Sequence, residues 1–207
     1  MAEMTSTGPT FFDNLKRSFE DVKVTEDGVD TGEFLEACDG VVKLFDFVNP
    51  TAFAPVVMDI SGNIHKIRTK FLSDPINSVT LEKMMVSERK LGKGKRVATE
   101  GLLWLLRGLK FTCEAINTCA KDTSLELATA FSNAYNDVLR PFHNFLVRGV
   151  VSIALKAAPY RKDFLTKLGN DQHRVETQML QWGTALEKLV ERLQKYMAET
   201  KYDQPPF

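Results

Sequence analysis

The sequence predicts an all-α protein folded as one domain over residues 1–207, and three observations predict it. Apolar residues recur at helical spacing through most of the chain, and Asn49-Pro50, Asp74-Pro75, Gly92, Gly94 and Pro159 interrupt it. Alternating β-branched strand patterns and Asn-Gly hairpin signals are absent. In order, Phe11, Phe12, Leu15, Phe19 and Val22 give a first helical pattern, and Phe34, Leu35, Cys38, Val41, Val42 and Phe45 a second. Asn49-Pro50 and Pro55 break the chain before a helix over Met58–Phe71, which Asp74-Pro75 ends. Thr80 with Lys83 starts a short helix running towards Lys90, and Gly92 and Gly94 interrupt. A long apolar helix follows from Val97 to Ala120. The region from Leu125 to Ala158 is helical with Pro141 kinking or splitting it, Pro159 closes it, and a last helix runs from Asp171 to Met197.

Composition excludes several classes. A chain of 207 residues buries a core without disulfides or metals. Lys+Arg and Asp+Glu stand at 27 each, so no global field recruits nucleic acid, and none is expected as a partner. Cys38, Cys113 and Cys119 are odd in number and embedded in apolar segments, and read as reduced and structural. The first ten residues carry no basic-then-apolar signal, and no apolar run approaches the ~18 residues of a span. A cytoplasmic protein with at most peripheral membrane contact is expected.

Enzymatic signatures fail. There is no Gly-x-Ser-x-Gly elbow, and His65, His143 and His173 never form a His-x-x-x-His pair, so neither catalytic residue nor metal site nor cofactor is expected. LGKGKR at 91–96 lacks the first glycine and the hydroxyl of a phosphate loop and reads as a solvated basic loop.

Two features stay open on residues alone. In MDISGNIHKIRTKF, Met58–Phe71, helical periodicity puts Asp59, Asn63 and Lys66 on one strip. Ile60, Ile64, Ile67 and Phe71 fall on a second strip roughly 100° further round. The plain reading is an amphipathic helix with its polar side to water. The alternative is recognition of something polar attached to something apolar, and acid, amide and amine together suit a polyol better than an anion. The Val97 helix is apolar on more than one side, as a core helix or as the wall of an apolar cavity. FLVRGVVSIALKAA at 145–158 is similar. Trp104 reads as core or as a platform for a sugar ring, and His143 as a core histidine or a ligand contact.

MDISGNIHKI at 58–67, LLWLLRGLKF at 102–111, His143 with its neighbours and AAPYRKDFL at 157–165 closely resemble the glycolipid transfer protein family. The likeness runs from about Phe34 to Leu168, and within the family the chain looks like a fungal member of the heterokaryon-incompatibility kind. The resemblance implies a two-layer helical sandwich that takes ceramide chains between its layers and leaves the sugar at the surface. It implies that Asp59, Asn63 and Lys66 bond the headgroup and that Trp104 stacks under it. His143, together with Asp59, would bond the ceramide amide. Phe45, Phe53, Phe111, Leu139, Ala154, Leu155 and Phe164 match hydrocarbon-pocket positions, and Phe145, Leu146, Lys156 and Tyr160 the membrane contact. Phe145 and Lys156 depart from the mammalian pattern, which has a tryptophan and a tyrosine at those positions. Arg148, Lys156 and Arg161 add attraction to anionic lipid. The ending DQPPF differs from the mammalian one, where a tyrosine frames the sugar, and no residue is carried onto Trp182. The implied function is monomeric glycosphingolipid transfer between membranes without chemical change. The alternatives are a sphingolipid sensor using the same pocket, or ceramide-1-phosphate transfer, against which Trp104 argues.

Overall fold

Helix α4, Val97–Lys121, organises the molecule: sixteen of its 25 residues are buried, and Glu100, Trp104, Arg107, Lys110 and Glu114 form the one strip left partly open. A computed structural model describes residues 8–92 and 94–205. Around α4 lie α1 (Thr31–Val48), α2 (Ala54–Ser73), α3 (Leu81–Arg89), α5 (Leu127–Ala134), α6 (Phe145–Lys156), α7 (Arg161–Leu168) and α8 (Gln172–Thr200). α4 packs beside α3, α5 and α8; α1 packs on α2 and α7; α2 crosses onto α4, and α6 closes against α5. The result is an all-α sandwich of two helical layers, and its apolar interior joins side chains from every helix. Cys38, Cys113 and Cys119 are free and buried within it, and burial pushes the Cys113 thiol up to about 12.

Local chemistry sets the helix ends. Thr80 Oγ1 accepts from Lys83 N, Asp171 Oδ1 from Arg174 N, and Asp30 Oδ1 from Glu33 N, each satisfying a first-turn donor. The N-terminus of α4 is capped from outside: the buried Glu88 carboxylate accepts from Ala98 N at 3.0 Å and Thr99 N at 2.7 Å. A carboxylate at a helix N-terminus also meets the positive end of the helix dipole.

Several expectations need correction. Phe11–Val22 is not a helix but two 3₁₀ turns, Phe12–Asn14 and Phe19–Asp21, with Leu15 and Ser18 extended between them. Its rings reach the core individually, Phe19 against Trp182 at 5.1 Å and Phe11 against Phe47 at 5.3 Å, which imitates helical spacing. A small antiparallel hairpin, β1 (Val24–Thr25) and β2 (Gly28–Val29), also forms. It turns at Glu26-Asp27, and Gly28, which opens β2, has φ 128° with the Glu82 carboxylate lying where a side chain would stand. Pro55 does not break the chain; it sits in the first turn of α2, where its missing N–H costs nothing. Pro141 splits the 125–158 region: α5 passes into a π turn, Tyr135–Leu139, and a 3₁₀ turn, Arg140–Phe142, before α6. After Pro159 a separate helix, α7, has no counterpart in the sequence reading.

Candidate functional site

A cavity of about 590 Å³ opens between α2, α4, the π turn and α6. That volume suits a small-molecule site. Its mouth carries Asp59, Asn63 and Lys66 from α2, Glu100 and Trp104 from α4, and His143 from the link before α6. Phe53, Ile60, Phe111, Leu139, Val151 and Leu155 line the interior.

The polar strip of α2 is a ladder. Asn63 Nδ2 donates to Asp59 Oδ2 at 3.4 Å, and Lys66 Nζ donates to Asn63 Oδ1 at 3.2 Å. Asn63 is 3% exposed, so the ladder is anchored in the wall rather than floating in water. Burial raises the Asp59 carboxyl above its ordinary value, partly opposed by His143, Lys66 and the Asn63 hydrogen bond. Burial lowers the His143 imidazole, with Asp59 pulling it up and Arg148 pushing it down. His143 Nδ1 lies 3.2 Å from the Tyr135 hydroxyl. An acceptor-rich carboxylate, an amide, an ammonium and an imidazole thus converge at the rim, with hydrocarbon directly below.

Close approach of α4 to α2 brings Trp104 into this set. A Cβ on Gly101 would stand 3.1 Å from both Cβ and Cδ of Lys66, and one on Gly108 would meet Ile60 Cγ1 at 3.6 Å. Trp104 lies between these two glycines on the same face of α4. It is half-buried, with Phe142 edge-on at 6.4 Å and the Arg107 guanidinium 4.6 Å from the centre of its ring. Arg107 sits still closer over Phe142, at 3.7 Å, and lies in the field of Asp203. Asp203 of the C-terminal segment thus lies within electrostatic reach of the guanidinium beside Trp104. Tyr202 instead stacks on Tyr196, and Pro206 and Phe207 of the DQPPF ending lie outside the described residues.

Of the expected hydrocarbon residues, Phe53, Phe111, Leu139 and Leu155 line the cavity. Phe45, Ala154 and Phe164 do not; they are buried in the core instead. Phe45 stacks on Phe53 at 5.5 Å, and Phe131 joins both edge-on while touching Phe111 at 5.5 Å, forming an aromatic floor. Trp182 does not reach the cavity; it is buried beside Phe12 and Phe19 against α8's other neighbours. Phe145, Leu146, Lys156 and Tyr160 are exposed, and Ile153 and Val150 extend the same apolar surface. Arg161 is not free to meet lipid: it pairs with Glu176 at 2.7 Å and donates to Cys119 O. His65 faces outward, 3.5 Å from the Thr69 hydroxyl. Tyr135, Phe142 and Arg107 escaped the sequence reading. Tyr135 is aimed at His143 by the π turn, which periodicity does not signal, whereas Gly101 and Gly108 flanking Trp104 were a readable sign of close helix approach.

The family model "Glycolipid transfer protein (GLTP)" matches residues 29–170. The chain belongs to the glycolipid transfer protein family. Among relatives in that family, a glycolipid transfer protein of Aureobasidium melanogenum is 44% identical over 191 residues, covering 92% of this chain and 94% of the relative. Human pleckstrin homology domain-containing family A member 8 is 42% identical over 163 residues, 77% of this chain but only 31% of that protein. The fungal glycolipid transfer protein HET-C2 superposes with a TM-score of 0.89 at 39% identity, covering 95% of this chain and all of that one. Human ceramide-1-phosphate transfer protein, at 16% identity and a TM-score of 0.82, shares the fold. Among the described residues no helix is long and apolar enough to cross a membrane.

Proposed function

We propose that the protein is a cytoplasmic, monomeric, single-domain carrier that withdraws a glycosphingolipid from one membrane, shields its ceramide chains and delivers it to another unchanged. The observation that carries this reading is the charge of the cavity mouth. Asp59 and Glu100 line it with Lys66 the one lining cation, above an apolar interior. A phosphate headgroup would need excess positive charge there, whereas two carboxylates, an amide and an ammonium suit the hydroxyls of a neutral sugar. In this reading Asp59, Asn63 and Lys66 bond the sugar and Trp104 stacks beneath it. His143, held by Tyr135, bonds the ceramide amide with Asp59. The hydrocarbon supplies most of the affinity, at about 0.8 kcal/mol per CH₂ removed from water, and the polar rim supplies the selectivity, because a lipid lacking the sugar leaves buried partners unpaired. The exposed apolar surface of α6 contacts the membrane during exchange, with Phe145 taking the leading position.

Transfer of labelled lipids between vesicles tests this. Glucosylceramide or galactosylceramide is expected to move at least tenfold faster than ceramide-1-phosphate, and mass spectrometry is expected to find the lipid intact. Faster movement of the phosphate lipid would overturn the headgroup assignment, and release of free sugar would overturn the carrier role.

A further inference from the structure

A second concavity, of about 350 Å³, lies on the opposite flank of α6 from the cavity mouth. Arg140, Arg148 and Lys156 surround it, with Ser152, Asn136 and Tyr135 between them, and no carboxylate lines it. None of the three cations forms an ion pair among the described residues. Arg148 Nη2 donates to Arg140 O at 2.9 Å, and Arg140 Nη1 reaches only the Asn136 side-chain oxygen, at 3.5 Å. Arg161 and Arg68, by contrast, each pair with an acid, Glu176 and Asp39 respectively. Three cations gathered around one hollow repel each other unless an anion completes them.

The placement of this hollow narrows the anion. Arg148, Ser152 and Lys156 recur at four-residue spacing and form one strip of α6. Leu146, Val150 and Ile153, at 65%, 48% and 71% exposure, form another, roughly 120° round the helix. A helix lying in a bilayer surface with its apolar strip in the acyl region carries its cationic strip at headgroup level. We propose that Arg140, Arg148 and Lys156 form a phosphate-binding site for the headgroup of an anionic phospholipid in the membrane against which α6 lies. The guanidiniums supply fork-shaped donors for phosphate oxygens, Lys156 a point charge, and Ser152 a hydroxyl. Tyr135 and Leu155 line both this hollow and the main cavity, so a bound phosphate sits back-to-back with the Tyr135–His143 pair.

The proposal rests on the reading that α6 faces the membrane, and the test separates the two. Sedimentation with vesicles of phosphatidylcholine, alone or doped with phosphatidic acid, measures binding. Wild-type protein is expected to bind the doped vesicles several-fold better. Arg140→Gln/Arg148→Gln is expected to lose that preference and keep its neutral-vesicle binding, while Lys162→Gln/Lys188→Gln, which removes equal charge elsewhere, keeps both. Thermal melts confirm folding of each variant. Equal loss in the two double variants, or no preference in the wild type, overturns the site. Glycerol 3-phosphate binding that needs Arg140 and Arg148, with no preference for doped vesicles, overturns the lipid source in favour of a soluble phosphate. Phe145→Ser/Ile153→Ser binding neutral vesicles as well as wild type does overturns the membrane-facing reading itself, independently of the arginine result.

Discussion

Helices α4 and α6 look alike as strings of letters, yet sixteen of 25 residues are buried in α4 and only Ala154 and Leu155 of twelve in α6. The difference lies in what surrounds them. α4 has α2, α3, α5 and α8 on its sides, with Gly101 and Gly108 letting α2 approach. α6 packs on α5 along one strip and leaves Phe145, Leu146 and Ile153 in the open. Apolar composition therefore says that a helix seeks a nonaqueous partner, not that the partner is its own protein. Contiguous exposed apolar surface of this kind marks an interaction site.

This contrast can be broken or sharpened by substitution. The largest stability effect is expected in α4: Leu106→Ala, at a fully buried position, should cost about 2–5 kcal/mol in chemical denaturation. A cost below ~1 kcal/mol would mean that α4 is looser than its packing indicates. The glycines come next. Gly108→Ala makes an ordinary contact with Ile60 and should be neutral or gain up to ~1 kcal/mol from helix propensity. Gly101→Ala instead forces Lys66 aside by a few tenths of an ångström. Its stability should change by no more than about 1 kcal/mol, while glycolipid transfer falls severalfold, and equal transfer by the two alanine variants would remove Lys66 from the site.

On α6, Phe145→Ser/Ile153→Ser should alter stability by less than ~0.5 kcal/mol per site while vesicle association drops severalfold. A large destabilisation would show that these side chains serve the fold. The smallest effect on stability belongs to Asp59. Its carboxyl is raised mainly by burial, so the folded chain holds that proton more tightly than the unfolded one. Its contribution to stability therefore declines as pH rises from 3.8 through the folded value, and Asp59→Asn should be neutral or slightly stabilising without lipid. Glycolipid binding should show the opposite trend: it weakens as pH falls and Asp59 protonates, with a midpoint above 3.8, and Asp59→Asn should lack that acid limb.

Much of the fold was legible because α1, α2, α4 and α8 are long and periodic and because Thr80 and Asp171 are strong helix caps. What was hidden depended on partners distant in sequence. Phe11, Phe12 and Phe19 imitate a helix because they insert one by one beside Phe47 and Trp182. The hairpin turns at Glu26-Asp27 with Gly28 at positive φ just after it, a turn that carries no Asn-Gly signal. At the candidate site, periodicity alone put Asp59, Asn63 and Lys66 on one strip, but an amphipathic helix facing water fits that equally well. Only the approach of α4 through Gly101 turns the strip into the rim of a cavity. Tyr135 and Phe142 were out of reach, because the π and 3₁₀ turns that aim them have no periodic signature.

The two tryptophans allow the most direct test of where the ligand sits. Trp104 lines the cavity mouth, whereas Trp182 is buried beside Phe12 and Phe19, with no hydrogen-bond partner for its indole N–H. Trp182→Phe therefore leaves Trp104 as the sole indole and removes an unpartnered donor. Titrating this variant with glucosylceramide while recording tryptophan emission is predicted to give a saturable change in the Trp104 signal. Unchanged emission from a protein that still carries the lipid would contradict the account.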